Sequence, residues 1–257
     1  MDNKEVKKLV SEARKHREYG QFAEALAILH QINNEFTDNV QYRYLLAATY
    51  YESMNVESAL KYAEEAISLD PAYKEAYELI GDIYIKQDER ERAIEYYEKG
   101  YHLDNHYTYI EEKLIQAYLK SGNYEKAIII CDNLISHVPV DISTAKSRML
   151  TSTFMATVMY KGIAFIYLKR YKEAIQQMFN RKELNIKTNS PTYINQYRDD
   201  DESIFKMYSN LGDKIAAGQY RALLKEDYQL TDEEIRVLEE EAQNDIILKR
   251  QRYNIPF

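Results

Sequence analysis

The chain has 257 residues, 45% of them hydrophobic and 30% charged, a balance that excludes a disordered chain and suits one or two domains or a single elongated array. A formal charge of −8 repels phosphate backbones, so no nucleic-acid partner is expected. The lone Cys131 rules out an internal disulfide, and no secretory or membrane-length apolar run occurs, so the expectation is a cytoplasmic protein without a membrane partner.

Only 7 Gly and 4 Pro occur, which favours helices joined by short connections. Trp is absent but Tyr occurs 25 times, and such rings bury a body while keeping a hydroxyl at a wet edge. From the N-terminus, alanines recur at Ala25, Ala59, Ala93 and Ala127, each 34 residues after the last. His16, Tyr50, Tyr84 and Tyr118 keep the same period, as do Gly20, Met54, Asp88 and Gly122, while Pro71 and Pro139 share a further column. Each period contains two apolar-periodic segments, such as Glu75–Lys86 and Glu91–Tyr101, joined by a short polar turn. Small residues at Ala13, Ala47, Gly81 and in the alanine column let two helices approach closely, and the adjoining ring fills the space beside them. Proline cannot continue a helix and sets the break before the next unit. A single helical hairpin cannot bury its own apolar face, whereas a stack of them buries a continuous core.

This pattern resembles the tetratricopeptide repeat. The best unit runs from Tyr77 to Asn105, with Gly81, Tyr84, Ala93, Tyr97 and Gly100 on the family's signature columns and Tyr77 in place of the usual Trp. Ile115 and His16 depart from the pattern, in a normally small and a normally aromatic column. The resemblance implies an all-α, right-handed superhelical solenoid of antiparallel helix pairs. Four regular repeats are placed at 6–39, 40–73, 74–107 and 108–141.

Beyond Asp141 the register returns at Gly162, Phe165, Tyr171 and Ala174, giving an extended fifth repeat over 142–188. Its thirteen extra residues contain no Gly or Pro and are expected to lengthen the first helix. A degenerate sixth pair over 198–230 is marked by Phe205, Tyr208, Gly212 and Ala217. Thr231 and Glu234 form a capping box that opens a C-terminal capping helix over 231–253. The basic cluster Lys249, Arg250 and Arg252 ends it, complementing the helix dipole.

No constellation of reactive groups points to catalysis, so the chain is expected not to be an enzyme and to need no cofactor or metal. His102 and His106 have metal-ligand spacing but no third ligand, and Cys131 falls on a core-facing column. The run Asp199–Asp200–Asp201–Glu202 lacks the glycine and alternating ligands of a calcium loop and is read as a helix N-terminus. No phosphate-binding glycine loop or nucleophile elbow occurs.

In the resembled family the first helix of each repeat lines a concave groove. Carried onto this chain, the lining is Lys7, Val10, Arg14 and Arg17, then Gln41, Tyr44, Ala48 and Tyr51, then Glu75, Glu78, Asp82 and Ile85. Tyr109, Glu112, Gln116 and Leu119 follow, with Met159, Ile163 and Ile166 beyond them. The mosaic has a basic end, an aromatic step, an acidic middle and an apolar far end. It suits a protein or peptide segment with basic and apolar residues. The places that clamp a chaperone tail in some family members hold Val10, Arg14, Leu45 and Leu79 here, and Glu75 and Glu78 repel such a tail. An adaptor or scaffold is therefore expected, monomeric or at most a weak homodimer. The alternative is a dedicated neutraliser or chaperone of one partner, such as a toxin immunity protein or secretion chaperone, and a catalytic module ranks last.

Overall fold

The computed structural model describes residues 3–32, 39–103, 108–137, 145–187 and 194–247. Every regular element among them is an α-helix. The chain divides into two compact units, Met1–Ala117 and Tyr118–Phe257. The first holds α1 (Asn3–Glu18), α2 (Phe22–Ile32), α3 (Val40–Glu52), α4 (Val56–Leu69), α5 (Lys74–Lys86), α6 (Arg90–Leu103) and most of α7 (Thr108–Lys120). The second holds α8 (Tyr124–His137), α9 (Ala145–Tyr167), α10 (Tyr171–Lys187), α11 (Ile194–Leu211), α12 (Lys214–Glu226) and α13 (Asp232–Gln243).

One turn recurs along the chain. At Gly20, Met54, Asp88, Gly122, Lys169 and Gly212 the backbone takes a left-handed conformation, with φ between 58° and 76°. Met54 shows the bonding: its N–H donates to Tyr51 O at 3.1 Å and the N–H of Asn55 to Tyr50 O at 2.9 Å. The same two bonds recur at the other five turns, a Schellman closure that satisfies the last carbonyls of the preceding helix. At two of these turns the side chain of the following residue caps the next helix, Asn55 for Ser58 N and Asp213 for Ala216 N.

Across each turn the two helices meet on small residues. Ala25, Ala59, Ala93, Ala127 and Ala174 are fully buried. A Cβ at Gly81 would lie 2.2 Å from the Tyr97 ring, and one at Gly100 would lie 2.4 Å from Ile110 Cδ1. The rings of the aromatic column meet a second ring from the following helix, Tyr50 stacked on Tyr62, and Tyr84 and Tyr208 tilted against Tyr96 and Tyr220. Core clusters then run from Val6, Leu29 and Leu46 to Ala63, Leu79 and Ile83 in the first unit, with Phe205, Leu224, Ile235 and Leu238 in the second.

Two expectations are corrected in the second unit. The run Asp199–Glu202 does not open a helix: α11 begins at Ile194, and Asp200, Asp201 and Glu202 are buried within it. Arg181 and Lys182 of α10 lie opposite, Arg181 forking onto both oxygens of Asp200 and Lys182 pairing with Asp201. Tyr228 donates to Asp201 at 2.9 Å and Arg198 to Glu202 at 2.9 Å. The acids are therefore buried because cations from the neighbouring helix and their own meet them. The C-terminal helix also stops at Gln243, well short of Arg252. Asp245 turns left-handed at φ 61° and Ile246 N–H donates back to Glu241 O at 2.8 Å. Ile247, beyond this turn, is buried. Lys249, Arg250 and Arg252 lie outside the described residues, as do Pro139 and His106.

Candidate protein-binding face

Of the predicted lining residues, those on α1, α3, α5 and α7 up to Gln116 fall in the first unit, and Leu119, Met159, Ile163 and Ile166 fall in the second. Ala48 is buried in the first unit's core, so it does not line a surface. In the second unit Leu119, Ile163 and Ile166 are buried likewise. Arg14 and Gln41 are exposed, Tyr109 is 51% exposed, and Arg17, Tyr44, Tyr51, Glu75, Glu78, Asp82, Glu112 and Gln116 are half-buried.

The acidic middle is not open in the way the sequence implies. Lys113 reaches back from α7 to α5 and places its ammonium 2.6 Å from Glu78 and 2.5 Å from Asp82. Burial by itself would lower the pKa of Lys113, but the two carboxylates outweigh it and hold the lysine firmly charged. Asp82 also accepts from Tyr97 at 2.7 Å, and burial together with that carboxylate drives the Tyr97 hydroxyl far up. Sequence reasoning missed Lys113 because its column holds Leu45 and Leu79 in earlier repeats, a core position. A lysine there, one repeat after Glu78 and Asp82, was the available signal.

Other predicted groups are engaged internally too. Arg17 pairs with Glu52 at 3.4 Å. Tyr44 meets Tyr73 edge-on at 5.4 Å, and burial, then the nearby Glu78, raises its hydroxyl pKa. Lys86 sits 3.9 Å above the Tyr51 ring, whose hydroxyl is pushed up to about 12 by burial and then by Asp82. Glu75 and Glu112 differ, having no ion pair among the described residues. Burial raises the Glu112 carboxyl above the usual range, only partly offset by Lys113, and Gln116 Nε2 donates to it at 3.5 Å.

Among the described residues no group of three or more His, Cys, Asp or Glu is gathered for a metal ion. Cys131 is fully buried in α8, which raises its thiol pKa and keeps it protonated. What the face offers is half-buried rings and carboxylates on rigid helices, the materials of a protein interface. The sequence model of the N-terminal acetyltransferase A auxiliary subunit matches residues 2–196. The chain belongs to that auxiliary-subunit family.

Solved structures agree on the fold. Naa15, from a complex of Naa15/Naa10 bound to HypK-THB, superposes with a TM-score of 0.64 at 15% identity. That match covers 93% of this chain and 34% of the other, so the chain spans about a third of that relative. A crystal structure of MamA gives a TM-score of 0.56 at 21% identity, covering 69% of this chain and 96% of that one. PilF of Pseudomonas aeruginosa gives 0.55 at 14% identity, covering 93% and 96%. No curated protein sequence matches significantly. At such identities the likeness speaks for the fold alone, an all-helical tetratricopeptide-type repeat. The auxiliary-subunit family is one of protein-interaction scaffolds, and among the described residues of this member no helix is long and apolar enough to cross a membrane.

Proposed function

We propose that the chain is a non-catalytic, cytoplasmic scaffold that holds a segment of another protein against the first-helix face of its first unit. An auxiliary subunit works beside another subunit, and the Naa15 relative is seen with Naa10 and HypK. The partner segment is read as basic and apolar. The observation that carries this reading is the pair Glu75 and Glu112. Both are half-buried carboxylates with no ion pair among the described residues, while their neighbours Glu78 and Asp82 are already held by Lys113. A half-buried carboxylate gains most from an incoming cation, and the exposed Tyr109 beside them supplies an anchoring ring.

Lys113 also decides which variant tests the idea. Reversing Glu78 would set a cation against Lys113 and damage the fold, so the informative variant is Glu75→Gln/Glu112→Gln/Tyr109→Ala. The wild-type chain and the variant would be used to capture proteins from a native extract, with melting followed by circular dichroism. Unchanged melting with at least about tenfold less of the dominant captured protein supports groove recognition, since about 1.4 kcal/mol is one such factor. Equal capture by both chains removes the reading.

A further inference from the structure

The most basic helix of this acidic chain is α1, with six Lys and Arg against three Glu. Its cations are not spread evenly. Lys7 and Arg14 are seven residues apart, two turns along one face, and both border an open cleft between α1 and α3. Val6, Val10, Ile32 and Tyr42 form the apolar floor of that cleft, and Ser11, Asn39 and Gln41 are its neutral polar edges. Neither Lys7 nor Arg14 has an ion pair among the described residues, whereas Arg17 is taken by Glu52. Of the acids of α1, Glu5 and Glu12 lie on the side away from the cleft and Glu18 follows Arg14 by one turn without lining it, and the residues that α3 presents to the cleft are uncharged. Val6 and Tyr42 belong to the core, and the Tyr42 hydroxyl is fixed on Leu29 O at 2.6 Å, so the floor is preformed.

We propose that this cleft receives an acidic segment of the protein partner, two carboxylates about two helical turns apart meeting Lys7 and Arg14 with an apolar side chain between them on Val10. The inference rests on the scaffold reading and adds a second, oppositely charged contact to it. Carboxylates satisfy the unpaired cations, the apolar side chain covers Val10 and the cleft floor, and a basic segment is repelled here. With Glu75 and Glu112 favouring cations further along the same unit, the two ends of the face fix the direction in which a segment of mixed charge lies.

The probes are two fluorescein-labelled helical peptides on an Ala/Gln frame. One carries Glu at two positions seven residues apart with Leu between them, and the other carries Lys at the same positions. Anisotropy titrations against the full chain are expected to show binding of the Glu peptide, weakening with salt, and much weaker binding of the Lys peptide. Amide resonances of Lys7, Val10, Ser11, Arg14 and Gln41 are expected to shift. Lys7→Gln/Arg14→Gln should cost the Glu peptide about tenfold in affinity, and Lys7→Glu/Arg14→Glu should turn the preference towards the Lys peptide. Equal binding of both peptides, binding indifferent to these variants, or no binding of either overturns the inference. Loss of it alone, with partner capture still sensitive to Glu75, Glu112 and Tyr109, leaves the scaffold reading standing.

Discussion

Gly81 and Gly122 are glycines for different reasons, and the difference can be measured. Gly81 has an ordinary helical backbone, but the Tyr97 ring lies where its Cβ would be, while a Cβ at Gly122 would meet nothing within 4 Å. What Gly122 supplies is φ 76° at the turn. Met54 occupies the equivalent turn at φ 65° with its side chain 70% exposed. A residue bearing a Cβ is strained there by about 1 kcal/mol, so Met54→Gly is expected to stabilise by about 0.5–1 kcal/mol. Gly81→Ala must push Tyr97 off both its packing and its bond to Asp82 and is expected to destabilise by about 1–3 kcal/mol. Urea unfolding of the two variants checks both signs. If Gly81→Ala is neutral or Met54→Gly destabilises, the account of these columns is wrong. The positions of such residues were legible because a 34-residue period repeats the same backbone problem. Lys113 was not legible in the same way: a lysine in a leucine column reads as a departure until the carboxylates it faces are located.

Among elements, the helix pairs and their turns followed from the register, and the left-handed turns continue past the regular repeats at Lys169 and Gly212. The charged interior of α11 did not follow. Four consecutive acids have no apolar alternation to mark a buried face, and burial there depends on cations nineteen residues earlier, on another helix. The same helix carries Lys206, which is 1% exposed and paired with Glu241 of α13 at 3.0 Å. That pair, with Asn210 and Tyr171 bonded to Asp245, ties the end of α13 onto α11 and the start of α10. Glu241→Leu would take one carboxylate from a buried ammonium and is expected to destabilise by about 1–3 kcal/mol, whereas Lys206→Met/Glu241→Leu recovers most of the loss. A double-mutant cycle by chemical denaturation reads the coupling, and additive effects of the two substitutions would show that the pair does not act as a latch.

For the molecule as a whole, the unusual ingredient is tyrosine, 25 residues with no tryptophan. These rings do what aliphatic side chains do elsewhere, but each brings a hydroxyl that must stay protonated while it is buried. Burial pushes Tyr51, Tyr73 and Tyr171 up to about 12, aided by Asp82 near Tyr51, by Glu75 near Tyr73 and by a bond to Asp245 at Tyr171. Tyr42, Tyr44, Tyr97, Tyr220 and Tyr228 are raised further, first by burial in every case. Raised folded-state values mean that the native chain holds protons the unfolded chain has released. The tyrosine contribution is thus complete below about pH 10, the unfolded value, and disappears as pH rises through the folded values near 12 and above. Because such rings are buried within each unit, each unit is expected to unfold cooperatively in alkali. Phenolate absorbance at 295 nm and helical ellipticity at 222 nm should then change together between about pH 10 and 12. Most tyrosines ionising near pH 10 with the helices intact would show instead that the hydroxyls already reach water and that the ring columns pack more loosely than the ring pairs indicate.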